Sequence, residues 1–419
     1  MEHPREVINT TALGNGLRVV TEAIPGSRTA AFGVWVAVGS RDEAPEQSGA
    51  SHFLEHLLFK GTETWSARQV AEIIDGVGGD MNAFTSREHT AFYARVPDTA
   101  ADLASDVLFD VVRSPALRPT DVDAERLVIG EELTAAVTTP DDLVFMSLYD
   151  ELFAGHALGR EVLGEPATIN AMTPADIADF HGGWYLPSNL VVAAAGQVVH
   201  EEIVEKATAV FGDLPRGHHP KRTSPEAVRQ TTVANELPVE QAHIAIGWRG
   251  LPHGHEDRHA LAIANQVLGA SPSSRLFQTI REQRALAYTV FSTTSGYADA
   301  GSASVYAATA APRAKDLRVA LDDAIAELLD GGVTSQELDR ARSGFEGSIV
   351  LGLEDSGSRM SRIANGIALR DTVMPIDEFL DRLNAVTIDD VNRVLNQVYG
   401  QPSVTSIVGP ASALVAAGV

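Results

Sequence analysis

Apolar residues recur along this chain with two periods, and these periods predict its helices and strands. Spacings of three and four residues are typical of one face of a helix, whereas short or alternating apolar runs are typical of strands. Asn15-Gly16 predicts a tight turn between two short strands within residues 10–24. Further strands are predicted at 30–38, 80–86, 89–96 and 189–195, and helices at 49–61, from 64 or 66 to 77, at about 99–113, at about 120–137 and from 173.

The second half of the chain repeats this order of elements, and such an echo indicates an internal duplication. A segment rich in proline and basic residues, 215–225, lies between the halves and is typical of a linker. We therefore predict two domains, 1–214 and 229–419, joined by a linker at 215–228. The elements predicted in the second half are strands at 243–249, 287–294, 302–308 and 403–408 and helices at 257–268, 316–329, 336–351 and from 387.

The composition narrows the class of protein. With 419 residues, of which 44% are hydrophobic and 21% are charged, the chain is typical of a globular protein with more than one core. The 56 acidic residues outnumber the 32 basic ones and give a formal net charge of -24, which argues against a nucleic-acid partner. The chain has no cysteine, so histidines and carboxylates are its candidate metal ligands.

The sequence contains neither a secretory signal nor a run of apolar residues long enough to span a membrane. The N-terminal residues lack the basic segment followed by an apolar one that is typical of a secretory signal. The longest apolar runs, around 31–38 and 190–195, are much shorter than a membrane span. We expect a cytoplasmic protein that has no membrane partner.

One predicted helix carries a metal-binding pattern. Within the apolar run 49–61, His52 and His56 are four residues apart and lie on the same side of a helix, where two imidazoles can hold one Zn²⁺. Glu55 comes off the same side and can act as the base for a zinc-activated water. The rest of the helix is apolar, and buried imidazoles require partners. Since the corresponding helix of the second half, 257–268, has no such set, we predict one zinc ion per chain.

A zinc ion held by two histidines needs a third protein ligand, and the helix at about 120–137 offers two neighbouring acids for it, Glu131 and Glu132. Glu125 and Glu132 are seven residues apart and face the same way, whereas Glu131 is turned by about 100° from that face. We therefore predict that Glu132 is the ligand. Glu125 is predicted to be a nearby carboxylate that orients a ligand histidine.

Several separated motifs resemble those of one enzyme family. The motifs are His-Phe-Leu-Glu-His-Leu-Leu-Phe-Lys-Gly-Thr at 52–62, Met-Asn-Ala-Phe-Thr-Ser-Arg-Glu at 81–88, the segment 125–132, and Ser-Ser-Arg-Leu-Phe followed by Arg-Glu-Gln-Arg-Ala-Leu-Ala-Tyr within 273–288. Together they resemble the pitrilysin-type inverzincin metallopeptidases, in the branch of the mitochondrial processing peptidases and their bacterial homologues. The resemblance extends over nearly the whole chain.

The resemblance implies a role for each residue of the metal-binding pattern. His52, His56 and Glu132 match the zinc ligands of the family, Glu55 matches its catalytic base, and Glu125 matches its outer acidic residue. These roles agree with the assignments made from helical spacing alone.

The resemblance also implies residues outside the two metal-binding helices. Arg281 and Tyr288, from the second domain, match an arginine and a tyrosine that reach a zinc site, where they can stabilise an oxyanion. Asn82, Ala83 and Phe84 resemble an edge strand to which a peptide substrate adds as an extra strand.

The fold that the resemblance implies is α+β, with two homologous domains that are each an antiparallel sheet with helices packed on one side. Two chains of this family close around a chamber that admits unfolded peptides, so we expect a homodimer with shared active sites. The implied activity is that of a zinc endopeptidase acting on unfolded peptides or short polypeptides. The alternative is a non-catalytic scaffold of the same fold, like the core subunits of respiratory complexes. The complete zinc set, together with Arg281 and Tyr288, favours the enzyme.

Overall fold

The fold is built around two β-sheets, and the computed structural model describes them within residues 6–418. The strands of the first sheet are β1 (Ile8–Ala12), β2 (Arg18–Ala23), β3 (Thr29–Val36), β4 (Asp80–Thr85), β5 (Thr90–Pro97) and β6 (Leu190–Gly196). The strands of the second sheet are β7 (Thr231–Glu236), β8 (Gln241–Arg249), β9 (Thr289–Gly296), β10 (Gly301–Ala310) and β11 (Val404–Gly409). Their spatial orders are β1-β2-β6-β3-β5-β4 and β7-β11-β8-β10-β9. Each sheet contains one parallel pair, β2 with β6 and β7 with β11, and is otherwise antiparallel.

Helices connect the strands and cover the sheets. The first half contains α1 (Ala50–Leu58), α2 (Ala67–Gly76), α3 (Ala101–Arg113), α4 (Pro119–Thr138), α5 (Pro140–Leu152), α6 (Pro166–Ala171), α7 (Pro174–Trp184) and α8 (His200–Phe211). The second half contains α9 (Arg258–Leu268), α10 (Ala314–Gly331), α11 (Ser335–Gly352), α12 (Ser356–Arg370), α13 (Ile376–Ala385), α14 (Ile388–Tyr399) and α15 (Ala411–Ala417), with a π-helical turn at Phe277–Gln283. Ser66, Thr173 and Thr387 each accept the N–H three residues ahead, which explains where α2, α7 and α14 begin. Among the described residues, no helix has the length and apolar character that a membrane crossing requires.

The described residues form two compact units, and each unit takes one helix from the opposite half of the chain. Unit 1 runs to Leu133 and adds Glu161–Lys221 and Ile349–Pro375, whereas unit 2 consists of Thr134–Arg160, Arg222–Ser348 and the residues from Ile376 onward. Helix α12 therefore belongs to unit 1, although it lies late in the chain. Helix α5, in turn, belongs to unit 2.

In unit 1 this exchange covers the second face of the first sheet. Alternate residues of a strand point to opposite faces. Phe32 and Val34 of β3 pack in the core with α1, α3, α7 and α8, whereas Trp35 packs against Met360 and Ile363 of α12. The central strands β3 and β6 are therefore buried on both faces, whereas the edge strands β1 and β4 stay partly exposed.

Polar contacts fix α12 in its place on the sheet. Glu22 of β2 is fully buried and accepts hydrogen bonds from Arg359 (2.6 Å) and Arg362 (3.3 Å). The indole of Trp35 donates to Asn365 at 3.1 Å. Buried charges need such partners, and these pairs set the register of the helix on the sheet.

Unit 2 is covered in the same way. Ile244 and Ile246 of β8 pack in the core with α9, α10 and α14, whereas Ala245 faces Val144 and Leu148 of α5. Gly247 is two residues further on and faces the same way as Ala245, and a Cβ there would lie 3.0 Å from a side-chain atom of Leu148. The small residues of β8 therefore let α5 approach the sheet closely.

The predicted fold class of two homologous α+β domains is confirmed, with two differences of detail. Each sheet holds a parallel pair, and a helix packs on its second face as well as on its first. The predicted division into 1–214 and 229–419 with a linker at 215–228 differs from the units of the structure. The difference arises because α5 and α12, which the sequence analysis does not predict, each pack with the sheet of the other half.

Candidate metal centre

A buried carboxylate positions the N-terminus of α1. Glu43 accepts the N–H of Gly49 (2.8 Å) and that of Ser51 (2.7 Å), and so satisfies free amides at the positive end of the helix. Gly49 has a φ of 93°, and a Cβ there would lie 2.7 Å from a side-chain atom of Ile169. Only glycine allows the chain to turn into the helix at this point.

The three predicted zinc ligands come together at this helix. Glu132 Oε2, on α4, lies 3.6 Å from His52 Nε2 and 3.6 Å from His56 Nε2. All three ligand atoms lie within 4.8 Å of one another, and residues 6–418 contain no other such group of metal-ligating side chains. Two ligands of a tetrahedral Zn²⁺ at about 2.1 Å lie roughly 3.4 Å apart, so the spacing fits zinc. Glu132 Oε2 is also buried without a hydrogen-bond donor, which a metal ion would satisfy.

The surroundings keep the imidazole of His52 neutral. Burial, followed by the charge of nearby His56, lowers the pKa of His52 from 6.5 to about 4. A neutral imidazole offers the lone pair that a metal ion needs. At neutral pH this ligand therefore has no proton to lose before it binds zinc.

Glu125 lies behind His56, as the helical spacing predicts. Its Oε2 is 3.0 Å from His56 Nδ1, so the ring can donate there and keep Nε2 for the metal. The other oxygen of Glu125 pairs with Lys60 Nζ at 2.5 Å. The sequence analysis missed Lys60, although its place four residues after His56 is a signal that could have found it.

Glu55 lies beside the ligand group without being part of it. Thr85 Oγ1 donates a hydrogen bond to Glu55 Oε2 and so fixes the carboxylate. Burial raises the pKa of Glu55, and the Thr85 hydrogen bond and the charge of His56 oppose that rise. A carboxylate with a raised pKa is a stronger proton acceptor, as a general base requires. The role of Thr85 was not predicted, although the residue lies within the motif at 81–88.

Thr85 ties the site to the edge of the first sheet. It is the last residue of β4, the outermost strand, whose outer side has no strand partner among residues 6–418. Asn82, Ala83 and Phe84, the predicted substrate-binding residues, precede it on the same strand. Phe84 is 39% exposed, and the Ala83 N–H is held by Asn82 Oδ1 at 2.8 Å.

A buried ion pair fixes the hairpin that carries this edge. Arg41 pairs with Glu88, and their side chains are only 2% and 4% exposed. The Arg41 N–H also donates to the carbonyl of Arg87 at 2.8 Å. Since Arg41 stands two residues before Glu43, one short segment positions both the hairpin and the metal helix. The sequence analysis missed this pair because its residues are 47 positions apart and form no local pattern.

Arg281 and Tyr288 lie in unit 2, where they contact each other. The guanidinium carbon of Arg281 is 4.3 Å from the centre of the Tyr288 ring and 4.7 Å from that of Phe277, which are cation–π distances. Tyr288 is 78% exposed, so its hydroxyl is open to another molecule. The role of the two residues at a zinc site stays a prediction.

Comparisons with known proteins agree with one another. The family models described as "Insulinase (Peptidase family M16)" and "Peptidase M16 inactive domain" match residues 18–166 and 171–345. An uncharacterized zinc protease of Streptomyces coelicolor is 42% identical over 98% of this chain and 91% of that protein, and the zinc protease YmxG of Bacillus subtilis is 36% identical over 94% and 97%. A protease from Helicobacter pylori has a similar fold, with a TM-score of 0.89 at 23% identity over 97% of this chain and 100% of the other. The match to the inactive domain contains none of the three ligands.

Proposed function

Since the chain belongs to the M16 family of zinc metallopeptidases, we propose that it is an endopeptidase that hydrolyses unfolded peptides and short polypeptides. The observation that carries the proposal is the position of Glu55, held by Thr85 beside the three ligand atoms. A general base next to a metal site can deprotonate a metal-bound water molecule for hydrolysis. The alternative of a non-catalytic scaffold gains no support, because the ligand group and the base are both complete.

Three residues of the site would bind the metal ion, and a fourth transfers protons. A zinc ion held by His52, His56 and Glu132 would lower the pKa of a water molecule and polarise the peptide carbonyl. Glu55 accepts a proton from the attacking water and returns it to the leaving amine, first as a general base and then as a general acid. The raised pKa of Glu55, which burial causes, makes its carboxylate a stronger proton acceptor in the first of these steps.

The free edge of β4 is the proposed place of substrate binding. A peptide that adds beside Asn82, Ala83 and Phe84 as a further strand runs along the edge towards Thr85, which holds Glu55. Strand addition needs an extended backbone with free N–H and C=O groups. A folded protein has already used most of these groups and cannot bind in this way.

Zinc-loaded protein is expected to cut a polypeptide of some tens of residues when it is unfolded and to spare the same polypeptide when it is folded. Mass spectrometry of the products over time measures both rates. Protein treated with a chelator, and then reloaded with zinc, is the control for metal dependence. Equal cutting of the folded and unfolded forms would contradict the strand-addition part of the proposal, and no cutting of either would contradict the endopeptidase itself.

We further propose that two copies of the chain share their active sites, with Arg281 and Tyr288 of one copy serving the zinc site of the other. The exposed Tyr288 hydroxyl can donate a hydrogen bond to an oxyanion, and Arg281 stacks on its ring as a fixed positive charge. The implied homodimer of the family resemblance supports the same arrangement.

Chains that carry Glu55→Gln and chains that carry Tyr288→Phe are expected to be impaired alone and to recover when combined. In a mixed dimer, residues that act across the dimer place both changes in one site and leave the other site intact. Two different affinity tags allow the mixed dimer to be isolated, and we expect it to reach about half of the wild-type turnover, one intact site of two. A mixed dimer no more active than its parents would show that Tyr288 serves its own chain.

A further inference from the structure

A cavity of ≈ 420 Å³ lies within unit 2, where the end of α5 meets the start of β7 and the end of β8. Leu152 and Val228 contribute to its apolar wall, and Arg249, the last residue of β8, also lines it. Small organic ligands occupy cavities of about 300–1,000 Å³. This cavity is therefore large enough to hold one.

Arg249 is a partly buried cation that lacks a carboxylate partner. Its Nη2 donates to the backbone carbonyl of Glu226 at 2.8 Å, and its guanidinium carbon lies 4.0 Å from the centre of the Phe153 ring. The other two nitrogens, Nε and Nη1, are buried and have no hydrogen-bond acceptor within residues 6–418. Burial lowers the pKa of Arg249 to about 10, and no negative charge opposes that shift. Since buried donors without acceptors are costly, this side chain requires a further acceptor.

The fold itself does not require an arginine at this position. Ile244 of β8 pairs with the residue two places before the glycine that ends β11, and Phe32 of β3 pairs with the residue two places before the glycine that ends β6. Counting five residues on from each reaches Arg249 in unit 2 and Ala37 in unit 1. An alanine is therefore sufficient at this place in the duplicated fold, and the charge of Arg249 is specific to unit 2.

Three more charged residues line the same cavity, namely Glu151, Glu226 and Arg229. Glu226 and Arg229 are exposed, and Glu151 is half-buried. In the part of the chain that the structure describes, their side chains form no ion pair or hydrogen bond with one another, with Arg249 or with any other residue. The cavity thus brings two guanidinium groups and two carboxylates together without pairing them.

Unpaired charges of both signs favour a zwitterionic ligand. A multivalent anion such as phosphate would be repelled by Glu151 and Glu226 and by the formal net charge of -24, and a simple cation would be repelled by the arginines. An α-amino acid has a carboxylate, which fits the planar donors of a guanidinium, and an ammonium group, which fits a carboxylate. The apolar wall at Leu152 and Val228 suits an aliphatic side chain.

We propose that the cavity between α5, β7 and β8 binds a free α-amino acid with an aliphatic side chain. The ligand carboxylate accepts hydrogen bonds from Arg249, and the ligand ammonium donates to Glu151. Glu151 suits this role better than Glu226, because it is half-buried and water screens its charge less. The three predicted zinc ligands all lie in unit 1, so this site is a separate one and does not depend on the proposed peptidase activity.

Isothermal titration of the full-length, zinc-loaded protein tests the site with four probes: leucine, leucinamide, N-acetylleucine and inorganic phosphate. Leucinamide lacks the negative charge of leucine, and N-acetylleucine lacks its positive charge. We expect leucine to bind and each of these two analogues to bind at least about tenfold more weakly, because each loses one charge-assisted hydrogen bond. Phosphate should bind more weakly than leucine.

Variants place the bound leucine in this cavity. Arg249→Gln and Glu151→Gln should each weaken leucine binding by at least about tenfold. Arg340→Gln is the matched control, because Arg340 is an exposed arginine of the same unit outside this cavity, and it should leave the affinity unchanged. Thermal unfolding of each variant reports whether it folds. Glu151→Gln alters a residue whose side chain has no partner in residues 6–418, so it keeps the test decisive if Arg249→Gln fails to fold.

Three results would overturn the proposal. Leucine may fail to bind at millimolar concentrations, or it binds both cavity variants as tightly as the wild type, which places it elsewhere on the protein. Tighter binding of phosphate than of leucine would make the site one for oxyanions instead of zwitterions. Because the heat of binding is measured without a peptide substrate, each of these results stands whether or not the protein cuts peptides.

Discussion

Replacing Glu55 with glutamine is expected to abolish peptide hydrolysis while zinc stays bound. The change keeps the size of the side chain and removes the proton acceptor, and loss of a general base costs typically 10²–10⁴-fold in rate. Zinc should remain because Glu55 is not among the three ligand atoms that lie within 4.8 Å of one another. Turnover of a fluorogenic peptide and zinc content by elemental analysis measure the two effects on the same sample.

The matched control for this change is Glu46→Gln. Glu46 is an exposed glutamate just before the same helix and lies outside the site. Replacing it with glutamine should leave the hydrolysis rate and the zinc content at their wild-type values. Thermal unfolding of both variants would confirm that the fold is intact. A Glu55→Gln protein that keeps more than a tenth of its activity, or that loses its zinc, would contradict the assignment of Glu55 as the base.

Glu132→Gln and Glu131→Gln are expected to differ sharply in zinc affinity, although the two residues are neighbours. Glu132 Oε2 lies 3.6 Å from both ligand nitrogens, whereas Glu131 is exposed on another side of the helix. Mutation of a residue that only orients a metal ligand typically lowers metal affinity by about 10–100-fold. Mutation of a ligand itself should therefore lower zinc affinity by at least about 100-fold. Competition with a chromophoric chelator measures the affinity of each metal-free variant for zinc.

Glu131→Gln serves as the control in this experiment, because it makes the same chemical change one residue away. Its zinc affinity should stay close to that of the wild type. If Glu131→Gln weakens zinc binding more than Glu132→Gln does, the ligand assignment is wrong, and with it the use of helix faces to choose between the two acids.

The metal centre could be predicted from sequence because its determinants are local. The spacing of four between His52 and His56 and of seven between Glu125 and Glu132 fixes the faces of two helices before any tertiary contact is known. The partners of these residues could not be found in the same way. Thr85 meets Glu55 across 30 residues of chain, and only the folded sheet brings them together.

The exchange of helices was missed for a different reason. Comparing the two halves of a duplicated chain shows which elements correspond, but it does not show which sheet a helix will cover. A signal was present in the strands themselves, since β3 is apolar at nearly every position instead of at alternate ones. Such a run is typical of a strand that is buried on both faces. Helix α12, with Met360 and Ile363, supplies the second cover.

The exchanged helix also sets the order in which this protein can mature on the ribosome. The first sheet is complete once β6 has been made, but its Trp35 face stays bare until α12 emerges. At roughly 5–20 residues per second, the stretch of about 160 residues between them takes on the order of ten seconds. During that time the Trp35 face of the nascent chain is an exposed apolar surface that can aggregate. A chaperone that holds unfolded chains can bind the same surface. A truncated product that stops after the first half would keep this surface uncovered for good.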